Sequence, residues 1–368
     1  MLQKWRIGVL GSTGRGNYGH GLDTAWSALP ETEVVAVADD DPAGLKQAAT
    51  KLKVEQTFAD YRRLLDNVKP DIVAICPRWV DQHSAMAIAA AERGIHVYME
   101  KPLCRTLAEA DAIATACKGG KVKLAVAHPT RYSPKLDTIR KLIADGQLGQ
   151  ILEYRARGKE DRRGGGEDLW VLGTHVLDMI HAIAGKPEWC YAQVNWQGHA
   201  VTAADVFNGP EGIGPLAGDE VQATYGLPGN VRAYFSSKRN MAGRPARYGL
   251  QIHGSKGILE LIEGTLPSVK FLPDPAWSPG RTGKSWLNVS SAGIDKPEPL
   301  TGPEYSARHT LAIRDFLDAI ENDRPPVGSV AAGRDVTEMI AAVFESHRIG
   351  GPVELPLKTR ENPLSLLT

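Results

Sequence analysis

An α/β chain of two domains is predicted here: first a doubly wound parallel sheet, then an α/β domain built on a large, mostly antiparallel open sheet. Three observations predict it. Residues 7–127 alternate short apolar runs with amphipathic helical stripes, the pattern of a parallel sheet with helices on both faces. Beyond residue 128 the apolar runs come in pairs joined by glycine turns, as antiparallel hairpins do. The length, 368 residues, gives room for two cores, read as domains 1–127 and 128–368.

The elements follow in order. Residues 7–10 form the first apolar strand and 34–38 the second. Asp41 and Pro42 then supply an N-cap and first helical position, and Leu45, Ala48, Ala49 and Leu52 recur at i, i+3, i+4 and i+7. Residues 72–75 are a continuous apolar strand, 84–93 an alanine-rich helix stopped by Gly94, and 95–99 another strand. Thr106 and Glu109 make a capping box for a helix ending near Gly119, before a strand at 123–127. Ser133 and Pro134 open a helix that reaches Asp145 and Gly146. In the second domain Val221, Ala223 and Tyr225 alternate, Pro228-Gly229-Asn230 turns the chain, and Val231, Ala233 and Phe235 alternate back. Gly254 and Gly257 bracket the turn of another pair. Near the end, Ile313, Phe316, Leu317 and Ile320 stripe one helix, Arg324-Pro325-Pro326 breaks it, and 336–346 is a second.

Composition narrows the function. Lys plus Arg and Asp plus Glu are both 43, so no global field recruits nucleic acid or an anionic membrane. No apolar run reaches the roughly 18 residues that a membrane helix needs. Lys4 and Arg6 lead straight into a strand, leaving no secretory leader, and Cys76, Cys104, Cys117 and Cys190 are scattered without zinc spacing. A cytoplasmic protein with reduced thiols is expected. No metal is expected either: His175, Asp178 and His181 fall three apart, span about 120° of helical arc, and have no fourth ligand in view.

Gly11-Ser12-Thr13-Gly14-Arg15-Gly16 sits directly after the first strand, where backbone amides and the following helix's positive end meet a pyrophosphate. Thr13 takes the middle position of G-x-G-x-x-G, with Gly14 beside it. Asp39, ending the second strand, is placed to accept from ribose hydroxyls; with Asp40 and Asp41 it would repel a 2'-phosphate. NAD is therefore the expected cofactor, with Gly11, Thr13, Gly14, Arg15, Gly16 and Asp39 contacting it.

Glu100-Lys101-Pro102 after a strand, Pro77 and His83 before it, and the run from Gly164-Gly165-Gly166 to Gly173-Thr174-His175-Val176-Leu177-Asp178 resemble the glucose-fructose oxidoreductase, inositol dehydrogenase and rhizopine-catabolism family, written Gfo/Idh/MocA. The likeness extends to the Gly254 hairpin, the 309–321 helix and the closing 352–357 segment. It implies an N-terminal Rossmann domain, a sugar, cyclitol or glycoside substrate, and a homodimer or homotetramer built through the C-terminal sheet. It also implies that Lys101 holds the reacting hydroxyl and His175 takes its proton, and that Pro77, His83, Glu100 and Lys101 border the cofactor. An imidazole of ordinary pKa near 6.5 suits that exchange. Arg131, Asp168, Trp170 and Asp178 are the candidate substrate contacts; Trp79 and Trp170 are equally readable as core.

One position departs from the family. Dehydrogenases of this type carry D-x-x-x-H, and four residues before His175 stands Val171. Glu167, Asp168 or Asp178 is the expected substitute carboxylate. The departure keeps a second reading open, a redox-neutral glycosidase, epimerase or lyase using transient oxidation; a non-catalytic sugar or nucleotide sensor is the third.

Overall fold

The alternation in residues 7–127 becomes a six-stranded parallel sheet in the computed structural model, which describes residues 4–368. Its strands are β1 (Trp5–Leu10), β2 (Thr32–Ala38), β3 (Gln56–Phe58), β4 (Ile72–Ile75), β5 (His96–Met99) and β6 (Leu124–Val126). They lie in the order β3-β2-β1-β4-β5-β6, so the winding reverses between β1 and β4. In sheets of this kind the crevice beyond the carboxyl ends at such a reversal binds ligands.

Strand parity explains the two covered faces. Val97 and Met99 of β5 point into an apolar cluster with Ala90 and Ile113, carried by α3 (His83–Ala91) and α4 (Leu107–Gly120). Tyr98, between them, faces the other way, with its ring 5.8 Å from Trp26 and 6.0 Å from Phe316. Phe316 belongs to the helix Thr310–Glu321, so a segment late in the chain completes this unit. The first compact unit accordingly comprises the chain up to His128 together with Pro210–Gly214 and Ala307–Thr337. The unit thus draws on residues inside the single run 128–368 expected for the second domain, because Phe316 packs beside Tyr98 and Trp26.

Two local differences bear on the site. Residues 61–68 were not read as an element, yet Tyr61–Val68 is a helix whose N-cap Asp60 accepts from Arg62 N. More consequentially, no α-helix follows β1. Gly14, Gly16, Gly19 and Gly21 all have positive φ, and the chain runs through turns to a single 3-10 turn at Ala25–Ala28. The helix terminus expected beside the glycine loop is therefore absent, because a left-handed residue at nearly every second or third position interrupts helical hydrogen bonding.

The second unit, Pro129–Gly209, Pro215–Ser306 and Glu338–Thr368, is built on an eleven-stranded sheet. The hairpin read around Asn230 is Glu220–Leu227 with Val231–Lys238, pairing Ala223 with Phe235 and Tyr225 with Ala233. Gly249–Gly254 pairs antiparallel with Gly257–Ile262, while Ile151–Arg157 and Val231–Lys238 run parallel. The helix Thr174–Ala184 packs on Ile151–Arg157 and Gly249–Gly254. On the other face Tyr191, Tyr234 and Ile262 are exposed. Among the described residues no helix is long and apolar enough to cross a membrane, and the four cysteines are buried, unbridged thiols.

Candidate functional site

The first unit gathers the glycine loop, the ends of β1, β2 and β4, and the segment past β5. Gly16 packs so closely that a Cβ there would stand 2.4 Å from Arg78 N, and its φ of +89° is one that side chains resist, so only glycine serves. The loop closes on itself through paired backbone bonds between Ser12 and Asn17, 3.2 and 3.0 Å, and Gly14 N donates to Asn17 Oδ1. Arg15 stacks over Trp79 with its guanidinium carbon 5.2 Å from the ring and pairs with Asp81.

Asp39 is tied into this loop. Its carboxylate accepts from Thr13 N and from Thr13 Oγ1 at 2.7 Å, from Tyr18 Oη at 2.8 Å and from Asp41 N at 3.0 Å. Those donors engage both oxygens, and Asp39 is only 2% exposed. The threonine in the middle of the motif thus turns its hydroxyl to the end of β2. Burial, reinforced by the Asp39 bond and charge, holds the Tyr18 hydroxyl far above its ordinary range, so it stays a donor. Beside Asp39 the exposed Asp40 lines a cleft of about 210 Å³ with Gly11, Ala38, Tyr61 and Met86. The tight glycine loop and an acid-edged cleft at the carboxyl ends of β1 and β2 fit NAD. Gly11, Gly14 and Gly16 would present backbone to it, with Asp40 at the cleft's edge.

Past β5, Glu100 is buried and Lys101 is 6% exposed. Glu100 Oε1 accepts from His20 N at 3.1 Å and lies 2.9 Å from His20 Nδ1, and Oε2 accepts from Lys101 N at 3.2 Å. A Cβ on Gly19 would come within 2.7 Å of Oε1, which explains a glycine at its φ of +64°. Burial alone would raise the Glu100 carboxyl; the His20 bond and the Lys101 charge outweigh it and hold it well below the usual carboxylate range.

His83 is corrected. Its ring is fully buried, 2.8 Å from Pro102 O and 2.7 Å from Pro77 O, so it braces the Lys101-Pro102 turn rather than facing a cofactor. Burial pulls the imidazole below its usual pKa, against the two carbonyls, which favour the charged ring. Pro77 enters the site through that carbonyl.

In the second unit His175 lies in the first turn of Thr174–Ala184, entered through a π-helical turn, Leu169–Gly173. Its side chain is 4% exposed, and Nδ1 is 3.8 Å from Glu263 Oε1. Sequence reasoning missed Glu263, because nothing in an 88-residue separation marks two residues as neighbours. Two of the three expected substitutes, Asp168 and Asp178, are engaged by other residues. Asp168 is buried and accepts from Ser237 Oγ and Glu160 N; Asp178 is buried and accepts from Arg131 Nε at 2.7 Å. Val171 is buried and carries no acceptor on its side chain.

The residues expected at the substrate, Arg131, Asp168, Trp170 and Asp178, are all buried in the second unit. Arg131 spends its guanidinium on Asp178 and on His181 Nδ1, 2.9 Å away, a buried ion pair that fixes the helix. Asp168 and Trp170 are interior, and Asp168 Oδ1 and Trp170 Nε1 have no hydrogen-bond partner among the described residues. No group of three or more His, Cys, Asp or Glu positioned to hold a metal occurs among the described residues.

Comparison with known proteins adds to this geometry. Residues 5–128 match the family described as "Oxidoreductase family, NAD-binding Rossmann fold", and residues 136–260 match "GFO/IDH/MocA C-terminal domain". D-glucoside 3-dehydrogenase of Escherichia coli K12 is 31% identical over 88% of this chain and 91% of its own. Levoglucosan dehydrogenase of Pseudarthrobacter phenanthrenivorans is 27% identical over 96% of this chain and 99% of its own. A solved levoglucosan dehydrogenase in complex with NADH and L-sorbose shares the fold with a TM-score of 0.76 at 23% identity, covering 96% of this chain and all of that one.

Proposed function

Because this chain belongs to the Gfo/Idh/MocA family and is an NAD-dependent oxidoreductase of CH–OH groups, we propose that it oxidises a secondary alcohol of a sugar, cyclitol or glycoside. The observation that carries the reading is Lys101, an ammonium side chain buried to 6% exposure just past a parallel strand, beside a carboxylate that His20 holds in place. Bound NAD supplies the hydride acceptor. Lys101 stabilises the negative charge that develops on the substrate oxygen, and the imidazole of His175 accepts the hydroxyl proton as the carbon–hydrogen bond gives up its electron pair. Glu100 accepts from the Lys101 backbone amide and so places the lysine. Asp39 organises the glycine loop, and Asp40 carries the charge that repels a 2'-phosphate. The relatives named for glucosides and levoglucosan favour a pyranoside ring alcohol as the substrate class.

The redox-neutral reading rests on the carboxylate missing at Val171; Glu263, 3.8 Å from His175 Nδ1, supports net dehydrogenation over it. Incubating the protein with NAD and a panel of alkyl glucosides, anhydro sugars, free aldoses and inositols tests the choice. One NADH is expected per molecule of keto-sugar formed. Product without NADH would assign the chain to redox-neutral chemistry, and ligand binding without either would make it a sensor.

The exposed Tyr191 and Tyr234 on the sheet's open face are where the expected homodimer or homotetramer forms. Tyr234→Lys is expected to shift the sedimentation coefficient toward the monomer; an unchanged value would move the interface elsewhere. Placement in the cytoplasm rests on the four reduced, buried thiols.

A further inference from the structure

We propose that Glu263 is a positioning residue for His175, engaging the imidazole on its Nδ1 side so that Nε2 is the nitrogen that takes the substrate proton. The inference rests on the dehydrogenase reading above and deepens it. The buried isopropyl group of Val171 offers no acceptor to a ring one helical turn later. Asp168 is turned to Ser237, and Asp178, one turn after His175, is bound by Arg131. Glu263, in contrast, places Oε1 3.8 Å from Nδ1, within ion-pair range.

That separation is set from both sides by one short segment. Gly264 N, next to Glu263, donates to Thr130 Oγ1 at 2.8 Å, and Lys135 Nζ holds Pro267 O at 2.9 Å. Arg131, adjacent to Thr130, binds Asp178 on the helix that carries His175. The turn Pro129–Tyr132 therefore anchors both the loop that bears the carboxylate and the helix that bears the imidazole.

A neutral ring with its proton on Nδ1, facing a carboxylate, leaves Nε2 as the base; once Nε2 is protonated, the same carboxylate stabilises the imidazolium. Other ionisable groups lie on the elements packed against this helix. Arg131 and Asp178 are paired, with His181 beside them and Tyr132 in the same turn. Burial pushes the Tyr154 phenol up to about 12 and pulls His253 down to about 4, so neither changes charge between about pH 5 and 9. Glu153, Arg155 and Arg157 lie on the other face of the strand that carries Tyr154.

The test uses the full-length enzyme with NAD and whichever glycoside it oxidises. Glu263→Gln keeps shape and removes charge. It should lower kcat about tenfold with KM within about twofold, and move the acid limb of kcat/KM to lower pH by about one unit, because the imidazolium loses its counter-charge. Glu263→Asp should fall between the two. Without substrate, the His175 resonances of protein labelled with 15N-histidine should titrate at lower pH in Glu263→Gln by a similar amount. An active Glu263→Gln enzyme whose acid limb and His175 titration both match the wild type overturns the proposal. If no alcohol is oxidised by the wild type, the dehydrogenase reading falls, and the His175 titration alone decides whether Glu263 controls the ring.

Discussion

Lys101→Met is expected to lower kcat/KM for the sugar by about 10³-fold while the NAD dissociation constant stays within about threefold of wild type. Methionine keeps most of the side-chain volume at a buried position and deletes the ammonium, with its charge and its N–H donors. What is lost is the interaction that strengthens as the hydroxyl oxygen becomes anionic, so kcat should absorb most of the change. The glycine loop and the acid-edged cleft beside Asp39 and Asp40 are formed by other strands of the same sheet, and the loop is held by its own bonds to Asp39 and Asn17. Some stability should be lost as well, because Glu100 would keep His20 but lose the cation next to it. Steady-state kinetics and cofactor titration together check the prediction. Parallel loss of turnover and NAD affinity would give the lysine a cofactor-holding role instead.

The parts of the fold legible in the sequence are those governed by local chemistry. A continuous apolar run marked β4, and the N-caps act as read: Gly44 N donates to Asp41 Oδ1 at 2.6 Å, Glu109 N to Thr106 Oγ1 at 3.2 Å, and Lys135 N to Ser133 Oγ at 3.3 Å, while the Glu109 carboxylate of the expected capping box accepts from Arg105 N instead. The missing helix after β1 had a local signal that went unused, in Gly19 and Gly21 following Gly14 and Gly16. Tertiary facts had none. That Phe316 closes over Tyr98 depends on a helix returning from more than two hundred residues away, and no periodicity reports it. For the site, motif reading reached the residues whose neighbours are adjacent in sequence, Glu100 and Lys101, and the histidine of a recognisable run. It could not reach partners distant in sequence: Asp178 for Arg131, the Pro77 and Pro102 carbonyls for His83, and Glu263 beside His175.

Asp39 shows how such a partner changes a prediction. From sequence position alone the residue is a ribose acceptor, and removing its charge should let NADP bind. In the structure its oxygens already serve Thr13, Tyr18 and the Asp41 amide. Asp39→Asn replaces one acceptor oxygen with an NH₂ donor. Whichever way the amide lies, that donor meets other donors: the two hydroxyls must reverse, or the backbone amides, which cannot, lose their acceptor. The expected cost is about 2 kcal/mol, a fall of about 5 °C in melting temperature, with NAD and NADP both bound at least tenfold more weakly because the loop they share loosens. Asp40→Asn, at an exposed carboxylate lining the same cleft, should leave the melting temperature unchanged and weaken discrimination against NADP about tenfold, the effect of removing one repulsive charge near a dianionic phosphate. Thermal melts and calorimetric titration of both dinucleotides separate the two roles. An Asp39→Asn protein that melts as the wild type does and gains affinity for NADP would return the ribose contact to Asp39 and leave Thr13 and Tyr18 as bystanders.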